Sequence, residues 1–157
     1  MFAADREHGN HAVVGYPPTM SLAEKQQLLI QRLQIIEDPQ ERLAAIVSRG
    51  KKWPAPAEEQ RTDAHRVAGC VSRVWLVGHV ENARCHFQMD ADSPLVKGLV
   101  ALLCELYDGA TAAEIVSVEP EIFRELGLER QLSPTRLNGL AGVRHAIRAF
   151  AESCLQS

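Results

Sequence analysis

No run of apolar residues in this sequence approaches the roughly 20 that a membrane-spanning helix requires, so nothing in it calls for a bilayer. Basic charge is not in excess either. The 17 Lys and Arg against 20 Asp and Glu give a net charge of -3, and no basic cluster interleaves with aromatics as a nucleic-acid groove needs. Binding to DNA or RNA is therefore not expected. G-x-G-x-x-G, Walker and H-E-x-x-H motifs are all lacking, which leaves dinucleotide, phosphate-loop and zinc-hydrolase chemistry without support. Cysteine is sparse: Cys70, Cys85, Cys104 and Cys154 contain no C-x-x-C pair and no zinc-like spacing. Reduced thiols in a cytoplasmic protein are the simplest expectation. The stretch Met1 to Thr19 lacks an apolar core and carries Asp5 and Glu7, so it resembles no targeting peptide.

What is present fits one domain of ordinary composition, 46% hydrophobic and 24% charged over 157 residues. A chain of this length can bury about 70% of the surface that its unfolded form exposes, so no disulfide or metal is needed to staple it. Residues 1–19, with Gly9, Gly15, Pro17 and Pro18, read as a disordered arm, and residues 20–157 as a single domain.

Ser21 and Glu24 have the spacing of a capping box before a helix carrying Leu29, Leu33 and Ile36. Asp38 and Pro39 open a second helix, expected to end near Gly50. Trp53, Pro54 and Pro56 mark a loop. Two β-prone runs follow, Val71 to Val77 and Arg84 to Met89, with a turn expected over Gly78 to Asn82. Ser93 and Pro94 start a helix whose apolar stripe runs from Leu95 to Leu106, with Asp90 and Asp92 as candidate caps. Thr111 with Glu114 and then Pro120 open short helices, and Ser133 with Pro134 begins a last one through Phe150. The fold class is α+β: a small antiparallel sheet of about three strands covered by helices.

Among polar candidates Cys70 stands out, because Gly69 precedes it and a strand follows, a place where a loop can present a thiol. As an unperturbed thiol, only about 3% would be ionised at pH 7, and His65, Arg66 and Arg73 lie near enough in sequence to raise that fraction. A lone cysteine is otherwise a small buried hydrophobe, the reading that fits Cys85 on its strand and Cys104 in its leucine-rich helix. Cys85 and His86, adjacent on one strand, point to opposite faces and do not readily share a metal.

The segment Val67-Ala68-Gly69-Cys70-Val71-Ser72-Arg73-Val74-Trp75-Leu76 resembles the V-x-G-C-x-S-x-V-W signature of the SufE family. Asp90 to Leu99, with Val96-Lys97-Gly98-Leu99, is similar to that family's acidic turn and V-K-G-L helix start. Leu106-Tyr107-Asp108-Gly109 resembles the following helix end, and Leu132 to Leu140 the P-S-R-x-N-G-L block. The resemblance implies a SufE/NifU-like fold and a covalent sulfur carrier rather than an autonomous enzyme. It implies that Cys70 accepts persulfide sulfur from a cysteine desulfurase, which itself holds the pyridoxal phosphate, and passes it to an iron–sulfur cluster assembly scaffold. Arg136, Arg73 and Arg66 are the candidate partner-binding or site-supporting residues. No bound cofactor or metal is implied for this chain. One departure is Val71, where the family commonly has glutamine.

Two other classes compete. A non-catalytic adaptor would stimulate the desulfurase by docking alone, without Cys70. A metal or iron–sulfur scaffold would need three clustered cysteine ligands, a pattern the sequence does not offer.

Overall fold

The computed structural model describes residues 16–17 and 19–156. The arm expected over 1–19 therefore lies largely outside the described residues. Tyr16, at its end, is packed: its hydroxyl donates to Glu105 at 3.3 Å, and Lys25 and Arg32 lie over its ring.

Helices α1 (Leu22–Gln34) and α2 (Pro39–Lys52) come first, followed by two 3-10 turns, Glu58–Gln60 and Asp63–His65. Strands β1 (Val74–Glu81) and β2 (Arg84–Ala91) form the sheet, and α3 (Pro94–Tyr107), α4 (Ala112–Ser117), α5 (Ile122–Glu125), α6 (Leu128–Gln131) and α7 (Pro134–Leu155) complete the chain. Five of the expected caps are in place. Ser21, Asp38, Ser93, Thr111 and Ser133 all accept backbone N–H bonds at the first turn of the helix that follows.

α2 does not end at Gly50 but runs two residues further. The glycine serves packing instead: a Cβ there would lie 2.7 Å from the Gly98 Cα, and one on Gly98 would lie 2.7 Å from the Val47 Cα. Two backbones thus touch at the α2–α3 crossing, which explains why the V-K-G-L segment carries a glycine inside a helix. α3 lies against β2 as expected, but it is apolar on more than a stripe. Residues from Leu99 to Leu106 are fully buried all round, except for half-buried Glu105, as befits a central helix contacted by α1, α2, α7 and β2.

The hairpin also shifts. β1 starts at Val74 rather than Val71, whose side chain is 82% exposed, and it continues through Gly78 to Glu81. The turn is the two residues Asn82 and Ala83, both at positive φ (53° and 62°), the combination that matches hairpin twist. Ala83 has no side chain that favours this region, so nothing in the sequence marked it.

Among the described residues the sheet has two strands, β1 and β2, where about three were expected. Other groups take the place of a third. Along the outer edge of β2, the Cys85 N–H donates to the Ala110 carbonyl, the Phe87 N–H to the Asp108 carboxylate and the Met89 N–H to the Pro54 carbonyl. The Gly109 N–H and the Trp53 indole donate back to the Cys85 and Phe87 carbonyls. The edge is satisfied without a ladder. On the other side, beside β1, a single bridge pairs Arg66 with Trp75.

Candidate active site

The bridge at Arg66 and a bond from the Val67 N–H to the Val74 carbonyl (2.8 Å) pinch the chain into a short loop that carries Cys70. Gly69 stands at φ +87° with open space around it, so the position needs glycine for its backbone and not for room. That turn directs the Cys70 side chain inward, onto α7.

Two glycines of α7 form the seat. A Cβ on Gly139 would lie 3.4 Å from the Cys70 Sγ, and one on Gly142 would lie 2.6 Å from the Ala68 carbonyl oxygen. Spaced three apart, they clear one helix face along which the loop lies. The Cys70 thiol donates a hydrogen bond to the Gly139 carbonyl at 3.3 Å.

Beside the thiol is a cavity of about 190 Å³ between the loop, the start of α3 and the first turns of α7. Val96, Leu99, Leu140 and Val143 supply apolar walls, while Ser133, Thr135 and Arg136 line it from the start of α7. Pockets for drug-sized ligands and cofactors commonly run from about 300 to 1,000 Å³, so this one suits a side chain or a few atoms.

Burial pushes the Cys70 thiol above its ordinary pKa, against a smaller downward pull from Arg66. The carbonyl contact acts in the same direction, because it is a bond that only the protonated thiol can make. In this geometry Cys70 is held as a thiol. The expectation that neighbouring cations activate it in place is therefore corrected: Arg66 contributes, but burial outweighs it.

The other candidates divide. Arg136 lines the cavity with Cys70. Arg73 is bound to Asp92 at 2.7 Å and lies over the Trp75 ring, and the His65 ring is bonded to the Gln60 carbonyl at 2.9 Å. Neither is turned to the thiol. Asp90 and Asp92 cap no helix, since Ser93 does that; Asp90 instead holds Lys97 (3.1 Å) and Arg61 (2.6 Å). Burial would raise the Asp90 pKa, but the Ala91 N–H and these cations bring it below the usual range. Lys97 is thus an ion-pair partner of Asp90 at the V-K-G-L helix start. Among the described residues, no group of three or more Cys, His, Asp or Glu comes together in a way that could hold a metal ion.

Sequence reasoning missed Gly142. Its signal was a second glycine, three residues after Gly139, in a segment otherwise periodic as helix.

Comparison with known proteins agrees with this architecture. The family model for SufE, the Fe-S metabolism associated domain, matches residues 27–151. An uncharacterized SufE-like protein of Rhizobium etli is 38% identical over 129 residues, covering 79% of this chain and 87% of its own. The sulfur acceptor protein CsdE of Escherichia coli K12 is 42% identical over 106 residues, covering 66% of this chain and 72% of its own. A solution structure of a hypothetical protein from Thermus thermophilus superposes with a TM-score of 0.72 at 23% identity, over 85% of this chain and 97% of that one. This chain belongs to the SufE family.

Proposed function

We propose that this protein is a sulfur acceptor whose Cys70 takes sulfane sulfur from the persulfide of a cysteine desulfurase and transfers it to an iron–sulfur cluster assembly scaffold. The observation that carries the reading is Cys70 itself, set on a glycine-bent loop beside a small cavity in a SufE-family chain. Its similarity to a protein named as a sulfur acceptor supports the same role.

The Cys70 thiolate attacks the outer sulfur of the desulfurase Cys–S–SH. The S–S bond breaks, the desulfurase cysteine leaves as thiolate, and Cys70 becomes Cys–S–SH. The proton given up by Cys70 balances the one taken by the leaving thiolate, and no electrons are gained or lost overall. Pyridoxal phosphate belongs to the desulfurase, which generates the persulfide, so this chain is a covalent carrier and no autonomous enzyme.

Held on the Gly139 carbonyl, Cys70 is poorly ionised and cannot reach a partner's persulfide. The loop therefore swings out on docking, with Arg66 and Arg136 flanking the exposed thiol, and tucks back to shelter the loaded sulfur. The relay suits a reducing compartment such as the cytoplasm; among the described residues no helix is long and apolar enough to cross a membrane.

The test is desulfurase turnover with and without this protein. Stimulation by wild type and its loss with Cys70→Ser support the carrier; equal stimulation by both makes the protein a docking adaptor and removes Cys70 from the mechanism.

A further inference from the structure

Far along α7 from Cys70, a second pair of thiols comes together. Phe150 packs on the hairpin where Gly78 pairs with Phe87: a Cβ on Gly78 would lie 2.9 Å from the Phe150 ring, and the Phe87 and Phe150 centroids are 5.6 Å apart. Two residues further along the ladder, on the same face, Val80 pairs with Cys85. That step covers about 6.6 Å of strand, and four residues of helix cover about 6 Å. Cys154, one turn beyond Phe150, therefore meets Cys85, and the two thiols are joined by a side-chain hydrogen bond. Neither is in a disulfide.

We propose that Cys85 and Cys154 are a redox-active dithiol that closes to a disulfide by exchange with a low-molecular-weight disulfide, independently of Cys70. Access decides the order of events. Cys85 is 1% exposed, whereas Cys154 is half-buried and stands beside Leu155, itself 55% exposed. Cys154 attacks the small disulfide first, and one small thiolate leaves. The Cys85 sulfur then attacks the Cys154 sulfur of this mixed disulfide, and the second small thiolate leaves. Two electrons pass from the dithiol to the small disulfide, and the two protons go to the two departing thiols. Burial and the neighbouring Cys154 push the Cys85 thiol up to about 11, so closure is the slow step and the mixed disulfide builds up before it resolves to the cross-link. The bond would tie the last turn of α7 to β2, on the helix whose Gly139 seats Cys70. Closing a loop of roughly 70 residues restricts the unfolded chain strongly.

The experiment uses the full chain carrying Cys70→Ser, incubated with oxidised glutathione, with Cys154→Ser added in a parallel variant. The expected product has lost about 2 Da, yields a Cys85–Cys154 cross-linked peptide, and melts roughly 5–15 °C higher than the reduced form. The Cys154→Ser variant, shown folded by circular dichroism, yields neither the mass loss nor the cross-link. Persistent attachment of one glutathionyl group without a cross-link, no change at all, or a cross-linked dimer would each overturn the proposal.

Discussion

The Cys70 thiol donates to the Gly139 carbonyl across 3.3 Å, which makes the proposed reactive atom of the loop a ligand of the α7 backbone. A thiolate could not keep that contact, since a carbonyl oxygen repels negative sulfur. Holding the loop down and ionising Cys70 are thus opposed, and disturbing the seat should free the thiol.

Gly142→Ala tests this, because its Cβ would fall 2.6 Å from the Ala68 carbonyl oxygen while favouring helix. The loop must lift. Alkylation of Cys70, followed by peptide mapping, is expected to quicken about fivefold or more, the effect of roughly 1 kcal/mol on loop opening. An unchanged rate in a folded variant would show that the seat does not restrain the loop.

The raised Cys70 pKa has a defined sign. A thiol whose folded pKa exceeds its unfolded value contributes stability that is fully present below the unfolded pKa, about 8.5, and is lost as pH rises through the folded one. The stability difference between wild type and Cys70→Ser is therefore expected to shift against wild type above about pH 9. Urea titrations at pH 7 and pH 10 measure it.

How much of this was legible depended on whether the signal was local. Caps at Ser21, Asp38, Ser93, Thr111 and Ser133 could be read because side chain and helix start lie within three residues. The SufE blocks pointed to Cys70 without any geometry. What could not be read were contacts between segments distant in sequence. Gly50 looked like a helix end because its partner, Gly98, lies 48 residues away on α3. That the β2 edge is completed without a third strand among the described residues was equally invisible, since Trp53, Pro54 and Asp108 satisfy it from two separate loops. The cations near Cys70 in sequence were misleading for a related reason: Asp92 and Gln60 claim Arg73 and His65.

The Gly50–Gly98 contact makes its own prediction. Alanine at either site drives a Cβ to 2.7 Å from backbone of the facing helix, so each is expected to cost about 2 kcal/mol or more, less the helix propensity gained. The double substitution should cost less than the sum, because helices parted once accept the second methyl. Chemical denaturation of the three variants checks the inequality.

Arg144 is 8% exposed, lies 4.6 Å from the Tyr107 ring centroid, and donates to the Ile115 carbonyl at 2.8 Å and the Val118 carbonyl at 3.1 Å. It ties α7 to α3 and to the end of α4. Arg144→Met should cost about 2 kcal/mol, chiefly from the carbonyl left unpaired at Ile115. Arg144→Lys should recover only part of that, since an ammonium can donate to the carbonyls but lacks the flat guanidinium face that lies over the Tyr107 ring. Urea midpoints at constant m-value provide the comparison.

The most direct test is intact mass, without reductant, of wild type and Cys70→Ser after incubation with cysteine and a cysteine desulfurase. The account predicts that wild type alone gains the mass of one or more sulfur atoms and that reductant removes the gain. A Cys70→Ser variant that gains sulfur equally, or a wild type that gains none while desulfurase turnover rises, would contradict it.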